Sequence, residues 1–477
     1  MLSIGENLSG RGPISRREFL RIGSLGLGCF SLPWLLAQRA AAAHAGKNYL
    51  REKSVVLLFL HGGPSQFETW DPKPDAPAEI RTQLGVIPTK LPSVFFGSTF
   101  PKMAALADRL AVVRSFATGN VSHANAAVAV ADNPLGAVQG AIYARLAGVT
   151  SPKSGIPNHV LITPAAVGYQ EREPNERGPI HLMQTGELSS EFQPVKPIMT
   201  AETKSPPRKP NQEPHTAGLL SDLRLNIPWE RFEDRRWLLK QLDTMRRDLD
   251  HRGTLEALDR FQQQAVEMLL NKVVDAFDLS KEPREVIARY STDHMNNLRG
   301  QHLSVPQALG KQMLLARRLC EAGCGFVSVY SSYWDFHGTQ DVLPSIKDGF
   351  EVNGPALDHA VSAFLEDVRS RGLEERILLV ITGEMGRTPK GQGKGGRDHW
   401  GNLTPLVFAG GGLKMGQVIG RSDRIGSEPA TERYGLSHLF ATIMHTLFDR
   451  TAIRTQPNLP PKLLEIVTSG EPIAELY

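Results

Sequence analysis

Six short runs of apolar residues constrain the fold of this chain more than any other feature. They are VVLLFL (55–60), LAVV (110–113), HVLIT (159–163), GFVSVY (325–330), ILLVIT (377–382) and PLVFAG (405–410). The runs are continuous rather than alternating, which is typical of strands buried on both faces of a parallel sheet. Helical patterns separate them, which predicts an α/β fold with a doubly wound, mostly parallel sheet.

Two of the helical patterns are clear. Residues 305–322 carry one apolar stripe, formed by Leu309, Met313, Ala316 and Cys320. A second helix is predicted over 355–372, with Pro355 at its start, where a missing backbone N–H costs nothing.

The chain is predicted to contain a leader over residues 1–43 and a single α/β domain over 44–477. Two stretches interrupt the alternation of predicted strands and helices in that domain. Residues 193–216 are proline-rich and polar and are expected to form an extended loop. Residues from Trp229 to about 275 have a long, charged helical pattern and are expected to form a helical insertion over the sheet.

The leader has the marks of a twin-arginine signal. Arg16 and Arg17 precede a mildly apolar stretch, and Ala40–Ala43 offers small residues for cleavage. The apolar stretch is short and broken by glycine, so no stable transmembrane span is expected, because crossing a bilayer takes ~20 apolar residues. Cys29 leaves lipidation open. The mature protein is expected in the periplasm or outside the cell.

The charge of the mature chain argues against nucleic acid as a partner. Residues 1–43 contain five arginines and two glutamates, so their removal lowers the formal charge from +4 to about +1. Nucleic-acid binding requires a basic field or stripe, which a near-neutral chain lacks.

Cysteine usage excludes a disulfide scaffold. Only Cys320 and Cys324 remain after the leader, and we expect two small buried residues, because free cysteine packs well in cores. Zinc would need two more ligands close by.

The residues that follow the predicted strands carry most of the polar chemistry. In open α/β sheets, ligands bind outside the carboxyl ends of the strands. The segments expected at that edge are HGGPS (61–65), ATGNVSHANA (117–126), SSYWDFHG (331–338), GEMGRTP (383–389) and, before the last run, GGRDHWGN (395–402). Their convergence weighs more than any one of them alone.

These segments contain the ligand types that divalent metals accept, and zinc or manganese suits such a mixed set. The candidate metal ligands are Asp335, His337, Glu384, Asp398 and His399. Arg387 is predicted to clamp a sulfate or phosphate through its planar guanidinium. Ser122 and His123 precede a candidate helix start, where free amides favour an anion; both are candidate catalytic residues.

Asp-x-His and Asp-His pairs also occur in loops that bind no metal. In glycine-rich loops they serve turns and ordinary polar contacts. The run FLHGGPS (59–65) could begin an esterase oxyanion hole, but the nucleophile elbow Gly-x-Ser-x-Gly occurs nowhere in the chain.

Five motifs resemble an exported bacterial family known as domain of unknown function 1501, in the form common in planctomycete-type bacteria. They are FLHGGPSQFETWDPKPDAP, GNVSHANA, YWDFHGTQ, TGEMGRTP and GRDHWG. The resemblance spans nearly the whole mature chain and implies an alkaline phosphatase-like or sulfatase-like core, a superfamily of metal-dependent hydrolases of phosphate and sulfate esters. It places Asp335 and His337 on one metal with His399 as the third ligand.

The chain departs from that superfamily in three places. His61–Ser65 follows the first run, where an acidic ligand is usual, and Glu384 and Met385 replace an Asp-His pair. The sulfatase modification motif, Cys or Ser followed by x-Pro-x-Arg, is missing.

The sequence is therefore consistent with two functions. The first is an exported hydrolase that uses zinc, manganese or calcium on an anionic ester, such as a sulfated or phosphorylated small molecule or glycan. The second is a catalytically inactive member that serves as a periplasmic binding or assembly module.

Overall fold

A computed structural model of the protein describes residues 48–123, 127–169, 179–198, 273–295, 304–339, 344–457 and 459–477. The chain divides into two units, Met1–Lys47 and Asn48–Tyr477, and all of these residues belong to the second unit. The predicted leader, most of the proline-rich loop and most of the helical insertion lie outside them. No helix among the described residues is long and apolar enough to cross a membrane.

The centre of the fold is a seven-stranded sheet with the order β11-β4-β10-β7-β1-β6-β5. Its strands are β1 Ser54–His61, β4 Ala111–Val113, β5 His159–Ile162, β6 Phe326–Ser332, β7 Ile377–Thr382, β10 Leu406–Gly410 and β11 Gln417–Ile419. Two small ladders lie beside it, formed by β2 Val86–Pro88 with β3 Phe95–Gly97 and by β8 Gly386–Arg387 with β9 His399–Trp400. Each of the six apolar runs coincides with a strand of the large sheet, as predicted.

The sheet is mostly parallel, with one exception. β1 pairs in parallel with both β6 and β7, and β5 with β6. β10 runs antiparallel to both of its neighbours, β4 and β7. The predicted α/β class with a mostly parallel sheet is confirmed.

Helices cover both faces of the sheet. Within the described residues they are α1 Pro101–Ala105, α2 Gln139–Ala147, α3 Val274–Phe277, α4 Arg284–Tyr290, α5 Pro306–Glu321, α6 Ile346–Ser370, α7 Leu436–Leu447, α8 Arg450–Arg454 and α9 Pro461–Ser469. The candidate helix start after His123 is a five-residue π-helical turn, Ala127–Ala131.

The α6 helix begins nine residues before the predicted start, so Pro355 lies inside it. Ser345 caps the true N-terminus, where its hydroxyl accepts the N–H of Asp348 at 3.1 Å. A proline inside a helix removes one hydrogen bond and costs ~3 kcal/mol. Burial of the apolar face that includes Phe350 and Leu357 offsets that cost.

The core has one layer on each side of the sheet. Along β1, the side chains of Val56, Leu58 and Leu60 pack with α5 and α6, whereas those of Val55, Leu57 and Phe59 pack with α2 and α7. Cys320 and Cys324 are free and buried, as the sequence indicates. Burial on both faces explains why the strands read as unbroken apolar runs.

The turn after β1 lets the β6 loop approach closely. His61 O accepts the N–H of Trp334 at 2.8 Å, and Gly62 has a φ of +115°. A Cβ atom on Gly62 would lie 2.6 Å from the backbone nitrogens of Trp334 and Asp335. Only glycine allows this contact, which holds Asp335 beside the end of β1.

Candidate metal centre

Four side chains converge at the carboxyl edge of the sheet. Asp335 and His337 follow β6, His123 follows β4, and His399 lies in β9. His337 Nε2 is 2.8 Å from Asp335 Oδ1 and 3.0 Å from His399 Nε2. His123 Nε2 is 3.2 Å from Asp335 Oδ2, and His399 Nε2 is 3.5 Å from Asp335 Oδ1. Ligand atoms of all four lie within 4.8 Å of one another.

These separations fit one metal ion. Zinc with bonds of about 2.0–2.1 Å in tetrahedral geometry holds its ligand atoms roughly 3.3 Å apart. His399 Nδ1 lies 2.8 Å from Val121 O. Because a carbonyl only accepts, Nδ1 carries the proton and Nε2 presents its lone pair to the cluster, as in histidines that bind metals.

A second cluster shares His123 with the first. Ligand atoms of His61, His123 and Glu384 also lie within 4.8 Å of one another. His123 Nδ1 is 3.0 Å and His61 Nε2 is 3.8 Å from Glu384 Oε1. Glu384 is fully buried, and its Oε2 has no hydrogen-bond partner among the described residues. A buried carboxylate oxygen without a partner is costly, and a cation would satisfy it.

His61 is the residue of this edge that was missed as a candidate ligand. It is the last residue of β1. Its position at the end of a buried strand was the available signal, because imidazole and carboxylate are interchangeable ligand types for zinc.

The charged groups of the two clusters shift one another's pKa values. Burial alone would raise the pKa of Asp335, but its contacts with His123, His337 and His399 and the charge of Arg387 hold that pKa well below its usual value. Burial alone would lower the pKa of His123, but its hydrogen bonds to Asp335 and Glu384 raise it to about 9. Without a metal, a protonated imidazole ring therefore links the two carboxylates.

Arg387 is buried behind Asp335 and donates to protein acceptors. Its guanidinium is fully buried and donates to Gly63 O at 2.7 Å, Arg397 O at 3.0 Å and Asp335 Oδ1 at 2.6 Å, and also to Gly62 O. Protein acceptors therefore occupy the donors that an anion would need. The structure favours a positioning role, in which Arg387 fixes Asp335, over the predicted clamp on an ester anion.

Two other candidates lie at the rim. Asp398 accepts the N–H of His399 at 2.8 Å and lies 3.7 Å from His337 Nδ1. It therefore lies outside the four-residue cluster, on the side of the His337 ring opposite the Nε2 atom that faces the cluster. Ser122 is exposed, and its Oγ lies 3.0 Å from Asn120 Oδ1. Its role as a nucleophile stays a prediction.

A second buried arginine anchors the loop that carries His399. Arg397 is fully buried, lies over the ring of Phe67 at 4.3 Å, and approaches Glu68 Oε1 at 3.4 Å. It also donates to Ile80 O at 2.8 Å and Arg81 O at 3.1 Å. The segment FETWDPKPD (67–75), together with Ile80 and Arg81, therefore holds Arg397 and through it the loop that carries His399. These residues supply no metal ligand.

Replacing Arg397 with lysine should weaken metal binding by 10–100-fold while the protein stays folded. A lysine cannot reproduce the planar set of hydrogen bonds that positions His399, and loss of an outer contact to a ligand typically costs this much. Titration with zinc would measure the effect, with the exposed Arg284→Lys as the matched control. Unchanged zinc affinity in Arg397→Lys would show that the anchor does not position His399.

The fold and the site define an α/β protein that gathers imidazole and carboxylate side chains at one edge of its sheet. The chain belongs to the family described as protein of unknown function, DUF1501, whose model matches residues 52–459. The family indicated by the five motifs is thereby confirmed. No curated protein matches the chain in sequence.

Several solved structures resemble the chain at low identity. The phosphonate monoester hydrolase SpPMH from Silicibacter pomeroyi is 10% identical over 88% of this chain and 78% of that chain, with a TM-score of 0.35. The PsFucS1 sulfatase from Pseudoalteromonas sp. is 12% identical over 92% and 76%, with a TM-score of 0.33. The C-terminal periplasmic domain of EcEptC from Escherichia coli, in complex with Zn, is 10% identical over 87% and 90%, with a TM-score of 0.33.

Proposed function

We propose that this protein is an exported metal-dependent hydrolase of sulfate or phosphate esters. The observation that carries the proposal is the convergence of His123, Asp335, His337 and His399, from separate loops, on one point at the carboxyl edge of the sheet. Ligand sites of α/β proteins lie at this edge. The ester class is supported by the resemblance of the five motifs to the DUF1501 family, which implies an alkaline phosphatase-like or sulfatase-like core.

The donor set favours zinc among the three predicted ions. Three imidazole nitrogens and one carboxylate match zinc chemistry, and manganese accepts the same types. Calcium takes 6–8 oxygen ligands and suits this set poorly.

Each residue has a definite task in this proposal. A divalent ion bound at this edge would polarise an ester oxygen and lower the pKa of a water molecule, at a coordination position that the protein ligands leave open. His337 and His399 present nitrogen lone pairs, and Asp335 presents a carboxylate that Arg387 holds in place. Asn120 ties the loop that carries His123 to the β7 loop, because its Nδ2 donates to Glu384 O at 3.3 Å.

Activity should depend on the metal. Purified mature protein is expected to contain zinc or manganese by elemental analysis and to hydrolyse an aryl sulfate or an aryl phosphate. A chelator should abolish the hydrolysis, and readdition of the ion should restore it. Native protein that stays metal-free after incubation with zinc, manganese and calcium would contradict the enzymatic proposal.

Export is proposed to follow the twin-arginine route. Replacing Arg16 and Arg17 with lysine should leave unprocessed precursor in the cytoplasm, because the transport machinery reads the paired arginines. Cell fractionation and immunoblotting measure this, with Arg11→Lys as the control. Mature protein outside the inner membrane in the double variant would exclude this route.

One observation favours the binding or assembly module as a second candidate function. Arg387, the residue predicted to hold the ester anion, has its donors occupied by protein acceptors. A metal-loaded protein that hydrolyses neither class of ester would support this second candidate.

A further inference from the structure

We infer that the ring of His123 bridges two divalent cations, one at each of its nitrogens. The inference rests on the proposed function and deepens it, since it concerns the same edge of the sheet. The two ring nitrogens face different clusters: Nε2 lies 3.2 Å from Asp335 Oδ2, and Nδ1 lies 3.0 Å from Glu384 Oε1. One imidazole therefore belongs to both ligand sets.

The first site is complete with protein ligands. His123 Nε2, Asp335, His337 and His399 supply four, which is the number found in closed zinc sites. Its ligands come from three loops, so an ion there would tie the β4, β6 and β9 segments together.

The second site keeps a position open. His123 Nδ1, His61 and Glu384 supply three ligands, which is the pattern of catalytic zinc sites. Tyr330 Oη lies 2.6 Å from His61 Nδ1, so the remaining nitrogen, Nε2, is directed to Glu384. Glu384 Oε1 accepts the N–H of Gly62 at 2.8 Å, and the buried Oε2 lacks a hydrogen-bond partner among the described residues.

A bridging ring sets the spacing of the two ions. Metal–nitrogen bonds of about 2 Å on opposite sides of an imidazole place the ions ~6 Å apart. The ring reaches this state by releasing its N–H protons to water. The second ion, with its open position, is the one that would meet the substrate.

Copper(II) is a suitable probe, because nitrogen-rich sites bind it most tightly among the divalent first-row metals. The apo form of the full mature protein would be loaded with copper(II), followed by elemental analysis and electron paramagnetic resonance. We expect two ions per chain with a signal well below two spins, because imidazolate couples the two ions antiferromagnetically. His61→Ala should keep one ion and show the full signal of one spin.

Further variants separate the bridge from general damage. His123→Ala should abolish the coupling, and the exposed His294→Ala should retain two coupled ions. Should His61→Ala fail to fold by circular dichroism, Tyr330→Phe serves instead and should weaken only the second ion by 10–100-fold.

The results that would contradict the bridge differ from the result that would also contradict the proposed function. One ion per chain in the native protein, or two ions with the full signal of two spins, would overturn the bridge and leave the proposed function standing. Protein that binds no copper, zinc or manganese would overturn both.

Discussion

Replacing His337 with alanine is expected to weaken the first metal site by more than about 100-fold. His337 Nε2 lies closest to Asp335 and to His399 in the four-residue cluster. Loss of an outer contact to a ligand already costs 10–100-fold in metal affinity, so loss of a ligand should cost more. Elemental analysis after dialysis and titration with zinc would measure the change.

Metal-linked stability gives a second measure of the same variant. Zinc at 100 times its dissociation constant should stabilise the native protein by about 2.7 kcal/mol, because it binds only the folded chain. The variant should lose this thermal shift and keep the circular dichroism of the native protein. His294→Ala removes an exposed histidine and should retain both the zinc and the shift. Zinc binding by His337→Ala at native affinity would rule out His337 as a ligand.

The largest loss of stability is expected at a buried arginine away from the site. Arg317, on α5, is fully buried and lies 2.8 Å from Asp367 and 2.9 Å from Glu282. Tyr290 donates to Asp367 at 3.0 Å, and Arg371 lies 3.0 Å from the same carboxylate. This cluster joins α4, α5 and α6 beneath the sheet.

Arg317→Leu should lower the free energy of unfolding by roughly 3–5 kcal/mol, because it leaves buried carboxylates without their main countercharge. Urea denaturation would measure the loss as a lower midpoint at an unchanged slope. Adding Asp367→Asn to this variant should recover part of the stability, since it removes one of the stranded charges.

The matched control is a pair on the surface. Lys347 and Glu351 are 3.9 Å apart and both exposed, so Lys347→Met should change stability by less than about 1 kcal/mol. A similar change below 1 kcal/mol in Arg317→Leu would show that Arg318 and Arg371 are enough to compensate the buried carboxylates.

The sequence predicted most of the ligand-type residues at the edge. Asp335, His337 and His399 were identified from their place beside apolar runs, and the structure brings them within contact distance. His61 was missed because its position at a strand end was only a weak signal, and its approach to Glu384 is visible only in the structure.

The roles of the two loop arginines could not be predicted from the sequence. Arg387 and Arg397 both occupy polar, glycine-rich loops, where an exposed anion clamp and a buried anchor look alike. Packing decides between them, because a guanidinium surrounded by backbone carbonyls has no donors left for a substrate.

What the sequence by itself determined are six of the seven strands of the large sheet, the α/β class and the set of polar residues near the strand ends. Burial on both faces leaves continuous apolar runs that are local in the chain. Only the tertiary structure decided the direction of β10. A parallel strand there would place His399 at the opposite edge of the sheet, whereas the antiparallel strand begins at the carboxyl edge, beside Asp335. Strand direction depends on hydrogen bonds between segments distant in sequence, and the apolar pattern of one strand is the same in either direction.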